Sequence, residues 1–104
     1  MRTETTHHVD ASEADEKGRY EWRYEYDLHR FIDEDRTLVA RSYPDSTKTA
    51  QFLRFEVQGT SMAVTQEHIS DRLLQQAAAH LRNLGKTEIQ YLGPEGYAPL
   101  RTEA

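Results

Sequence analysis

Along residues 20–28, large apolar or aromatic side chains alternate one for one with charged ones. Tyr20, Trp22, Tyr24, Tyr26 and Leu28 take the even positions, and Glu21, Arg23, Glu25 and Asp27 the odd. A period of two belongs to a strand, whose successive side chains point to opposite faces. The pattern predicts a long strand over residues 20–32, broken by the turn-forming run Asp33-Glu34-Asp35. Residues 37–43 (TLVARSY) predict a second strand. Pro44, Asp45 and Ser46 predict a turn, since proline presets its own φ and the two polar residues bond locally. Residues 48–58 predict a third strand, with Leu53, Phe55 and Val57 on one face and Phe52 on the other. Loops this short make the three strands an antiparallel meander.

Past Gly59, which is expected to end the sheet, the period changes. Ile69, Leu73, Leu74, Ala77, Ala78, Leu81 and Leu84 recur at spacings of three and four, the apolar stripe of a helix over residues 65–84. Thr65 suits its N-cap, Glu67 and Asp71 suit the positive end of its dipole, and Gly85 suits the residue after its C-cap. Residues 87–92 (TEIQYL) predict a fourth strand. The expected fold is therefore α+β, in the order β-β-β-α-β. The helix packs on one face of a mixed four-stranded sheet, with the fourth strand parallel to the first and laid beside it by a right-handed crossover. The other face of that sheet has no element left to cover it.

The ends read differently. Residues 1–18 contain no aromatic residue and one branched aliphatic, Val9, so they are expected to form a disordered tail. Arg2 and Lys17 set against Glu4, Asp10, Glu13, Asp15 and Glu16 give that tail a charge of −3, out of −5 for the whole chain. The folded part, a single domain over residues 19–93, is thus close to −2. Residues 94–104, with Pro94 and Pro99, are expected to form an irregular C-terminal tail. The 104 residues make one domain at most. Cysteine is absent, which excludes disulfides, thiolate metal sites and a cysteine nucleophile. The first 18 residues lack the apolar core of a secretory signal, and no window reaches the ~20 apolar residues of a membrane span. The cytoplasm is the expected compartment.

No run of residues fixes a chemistry. His7 and His8 have no third ligand fixed near them, and Asp33-Glu34-Asp35 lacks the glycine and distal glutamate of a calcium loop. No metal or cofactor is expected, and no catalytic group is assigned. His68 and Asp71 lie within one turn of each other at the helix start. With Tyr97 as a lid, they mark a candidate small-ligand site near residues 59–68, though both also suit a helix terminus.

The aromatic alternation allows two readings. Its even face packs under the helix, with small Ala77 and Ala78 admitting the rings and Tyr20 and Trp22 overhanging. Alternatively, that face lies on the uncovered side while Leu38, Phe52 or Leu53, and Phe55 fill the core. Tyrosine and tryptophan are favoured anchors at interfaces, because they give large area at low entropy cost. The candidate interaction surface is Tyr20, Trp22, Arg23, Tyr24, Arg41, Tyr43, Arg54 and Tyr91. Arginines between rings also suit single-stranded nucleic acid, but Glu21, Glu25, Asp27 and Glu56 alternate with them and repel phosphate. The expected function is a non-enzymatic module that binds a protein partner, or a second copy of itself, through the sheet face opposite the helix.

Overall fold

The computed structural model describes residues 1–19, 22–93 and 96–100. The fold is α+β, a mixed sheet of seven strands with one α-helix among the described residues. The predicted meander is present as β2 (Arg23–Asp33), β3 (Arg36–Tyr43) and β4 (Ser46–Val57), each antiparallel to the next. Asp33 pairs with Arg36 across a two-residue turn in which Glu34 takes φ +54°. Tyr43 pairs with Ser46 across Pro44 and Asp45. Gln58 and Gly59, both at positive φ, turn β4 into a short β5 (Thr60–Met62) instead of ending the sheet. Positive φ at both central residues matches the right-handed twist of a tight hairpin.

The predicted helix divides in two. Thr65 caps a 3-10 turn, Gln66–Ser70, with His68 reaching back to the Thr65 amide at 2.9 Å. Asp71 then caps α1 (Arg72–Asn83) by accepting from the Leu73 N–H at 2.9 Å. The α-helix is therefore about 18 Å long rather than ~30 Å, which limits the area of sheet that it can cover. Leu73, Leu74, Ala77, Ala78 and Leu81 of its stripe are buried, and Gly85 follows the C-cap at φ +92°.

Strand β6 (Glu88–Gly93) is parallel as expected, but its neighbour is β4, not the first strand of the meander. The order is β1-β2-β3-β4-β6-β7, not 4-1-2-3. The reason lies at the N-terminus. Residues expected to form a tail make β1 (Arg2–Ala11), which pairs with β2 along its whole length and occupies the edge assigned to β6. Thr3, Thr5, Thr6 and Val9 are β-branched strand formers. An edge strand exposed on both faces needs no apolar alternation to be stable there. At the other end, Gly96–Pro99 form β7, antiparallel to β6. Residues 94, 95 and 101–104 of the expected C-terminal tail lie outside the described residues.

The helix covers the odd-numbered face of β2. Phe31, Leu38 and Phe55 stand in one row across β2, β3 and β4, and all are fully buried in one cluster with Phe52, Val64 and the α1 stripe. The even-numbered row beside it runs Arg30, Val39, Arg54. The row of rings and aliphatics goes under the helix because only it presents a continuous apolar surface there. Packing of Tyr24, Tyr26 and Leu28 beneath α1 is thereby overturned. A bulge completes the core: Val39 pairs with Arg54 but Ala40 with Phe52, leaving Leu53 as the extra residue. Phe52 and Phe55, three apart, thus share the core face, and Leu53 faces the other way.

Candidate functional site

The sheet face opposite α1 carries a hollow of about 430 Å³. Three tyrosines from two strands form its walls: Tyr24 and Tyr26 from β2 and Tyr43 from β3. Leu28 and Leu53 supply aliphatic surface, Arg41 and Arg54 supply charge, and Asp10 closes the rim from β1. The Tyr26 and Tyr43 rings meet edge to face, with centroids 6.5 Å apart. On its other side Tyr26 stacks on His8 at 5.3 Å, and its hydroxyl donates to Asp10 at 2.8 Å. That hydrogen bond holds the Tyr26 hydroxyl above its ordinary pKa, so the phenol stays a donor.

Arg41 is the central cation of this face. Its guanidinium lies 5.2 Å from the centroid of the Tyr43 ring, within the range of a cation–π contact. It donates to Gln51 at 3.2 Å and to the Tyr97 hydroxyl at 2.5 Å. These acceptors are neutral, whereas Arg54 is paired with Glu56 at 2.9 Å. The Arg41 Nε is buried with no hydrogen-bond partner. Gln51 passes the chain of contacts on to Gln90 of β6 at 3.3 Å, so side chains from β3, β4 and β6 form one polar floor beside the tyrosines, with Tyr97 of β7 joined to it through Arg41.

Beyond the hollow the sheet narrows. β3 first meets β2 at Asp27, so Arg23 to Tyr26 pair with β1 alone, and this two-stranded ribbon projects from the body. Trp22 lies at its end, 46% exposed, with its ring 5.8 Å from that of Tyr24, which is 59% exposed.

The predicted interaction residues separate into two groups. Tyr24, Arg41, Tyr43 and Arg54 come together around the hollow, with Trp22 beside them. Arg23 belongs to the odd face of β2 and bonds Glu25 at 3.0 Å. Tyr91 packs against the core on the helix side. Tyr20 lies outside the described residues.

The residues of the second predicted site are not brought together. His68 caps the 3-10 turn and packs its ring 4.7 Å from Phe55. Asp71 caps α1 and holds Arg36 through two hydrogen bonds of 2.6 and 3.2 Å. Burial opposes ionisation of Asp71, but the Arg36 hydrogen bonds and the Leu73 amide outweigh it and its pKa is lowered. Tyr97 bonds to Arg41 on the opposite face of the sheet.

Asp10, Tyr26, Leu28 and Leu53 also line the hollow and were not among the predicted site residues. Tyr26 and Leu28 were visible in the alternation. Asp10 became readable only once β1 was a strand, and Leu53 only through the bulge. Among the described residues, no three His, Asp or Glu side chains gather as a metal site, and no helix is long and apolar enough to cross a membrane. Comparison of the chain with protein-family models, curated proteins and solved structures finds no match.

Proposed function

We propose that this protein is a non-enzymatic interaction module that takes a protein partner on the sheet face opposite the helix. The observation that carries the reading is the tyrosine hollow around Arg41, on a face that no layer of the fold covers among the described residues. Rings with polar tips are the side chains that anchor interfaces, and they act best when a partner desolvates them. Arg41 adds a preference. A guanidinium bonded only to neutral acceptors is completed by a carboxylate, which it grips through two parallel N–H donors. The partner therefore presents an acidic side chain, or a chain terminus, among apolar contacts. The projecting ribbon supports the same reading, because two strands alone are marginal in water and gain from a third surface.

A small ligand at the start of the helix is the weaker alternative, since His68 and Asp71 already serve the caps and Arg36. The test is affinity capture with the wild type, with Tyr24→Ala/Tyr43→Ala, and with Arg72→Ala on the helix side as control. Loss of two anchors weakens the partner roughly tenfold or more, and the control retains it. A set of captured proteins indifferent to the double substitution refutes the proposal.

A further inference from the structure

Strand β1 ends the sheet, and among the described residues nothing pairs with its outer edge. Such an edge is a template for another strand, and proteins blunt it with proline, lysine or a bulge. β1 has no proline, lysine or bulge, and its charged residues, Arg2, Glu4 and Asp10, are of both signs and so can match a second strand: its sequence is RTETTHHVDA, and its ten-residue pairing with β2 runs without a shift in register. We propose that β1 pairs antiparallel with β1 of a second copy, with Thr6 on the two-fold axis.

The backbone decides which residues can make the bonds. Ser12 donates its N–H to the Trp22 carbonyl at 3.0 Å, so even-numbered positions turn their backbone groups toward β2. The odd positions, Thr3, Thr5, His7 and Val9, therefore offer theirs outward. α1 packs over β2 and β3, away from this edge.

Symmetry decides the register. A two-fold axis between antiparallel strands stands perpendicular to the sheet and keeps each side chain on its own face. One residue must therefore lie opposite its own copy. With Thr6 on the axis, Arg2 faces Asp10 of the second copy, Glu4 faces His8, and Thr6 faces Thr6. These even positions form the non-hydrogen-bonded pairs, where side chains approach most closely. The Arg2–Asp10 charge pair, a hydrogen bond between Glu4 and the His8 ring, and the Thr-Thr contact are all favourable there. The odd positions pair Thr3 with Val9 and Thr5 with His7, and exchange the backbone bonds. Moving the axis to His7 sets Glu4 against Asp10 and His7 against itself, and moving it to Thr5 shortens the overlap. The charge pattern thus selects one register. Asp10 also closes the rim of the tyrosine hollow, so Arg2 of the second copy brings a further cation to that rim.

The chain has no cysteine, which makes the test clean. Light scattering across a concentration series should give a dimer for the wild type. Val9→Pro removes one outward N–H from a half-exposed position that β2 does not use, and should give a folded monomer. In the full chain, Thr6→Cys should form a disulfide-linked dimer on mild oxidation, because non-hydrogen-bonded partners sit about 4.5 Å apart at Cα, inside the range a disulfide spans. Thr5→Cys and His7→Cys should not. A wild type that is monomeric throughout overturns the proposal, and so does a dimer indifferent to Val9→Pro. Should Val9→Pro fail to fold, the cysteine series still decides. Cross-linking through residue 5 or 7 in preference to residue 6 refutes the register. Tyr24→Ala/Tyr43→Ala leaves this dimer intact, so its failure and that of the open-face reading are separable.

Discussion

At the residue scale, the least conspicuous group with a measurable consequence is His29. It is 4% exposed, held between the Thr5 hydroxyl at 3.2 Å and the Ser42 hydroxyl at 2.9 Å, with Phe31 alongside. Burial pushes its pKa below the ordinary 6.5, with Lys86 and His80 acting in the same direction against Asp27. The fold thus prefers neutral His29. Its contribution to stability is intact above pH 6.5 and declines as pH falls from 6.5 toward the lowered value. His7 has the opposite sign. The Asp27 hydrogen bond raises its pKa, so it favours the fold at lower pH, but its exposure keeps that effect small. Substitution separates the two. In urea unfolding on either side of pH 6.5, the stability advantage of the wild type over His29→Leu should shrink on the acid side. An advantage independent of pH contradicts the burial of a neutral imidazole.

At the scale of elements, the bulge at Leu53 decides what β4 contributes. Phe52 and Phe55 are 0% and 1% exposed, whereas Leu53 lines the open hollow. Phe52→Ala and Phe55→Ala should each cost about 3–5 kcal/mol by thermal or denaturant unfolding. Leu53→Ala should cost well under half of that. A regular strand would instead set Leu53 and Phe55 on one face and Phe52 on the other, so equal losses at Leu53 and Phe55 would contradict the bulge. The α+β class, the central part of the helix stripe and three antiparallel strands were legible in the sequence, because each carries its own period; the place of the parallel strand, beside β4, was not. β1, the hairpin to β5 and β7 were not. Their pairing depends on a neighbour and not on an internal apolar pattern, and reading RTETTHHVDA by its apolar content hid its β-branched residues. The buried face of β2 was likewise unreadable from β2 alone. It follows from the row Phe31, Leu38, Phe55, which exists only once three registers are set.

Among the described residues the molecule is one layer of sheet with one α-helix, which leaves one broad face of the sheet uncovered. On it, Tyr24, Tyr43, Arg41 and Arg54 converge, while Arg23 and Tyr91 fall on the other side. Two separate surfaces are proposed for two tasks. On this proposal the β1 edge would take a second copy, and the tyrosine face another protein. The edge pairing spans residues 2–10 and stops short of the end of the ribbon. That pairing would leave Trp22, the chain's single tryptophan and 46% exposed, uncovered in monomer and dimer alike. The most direct measurement is quenching of Trp22 fluorescence by acrylamide on the purified chain, with its mass read by light scattering at each concentration. Red-shifted emission that is readily quenched is expected whether the chain is single or paired. Blue-shifted, shielded emission from the isolated chain would mean that the face is already covered, and would contradict an open face free to take a partner.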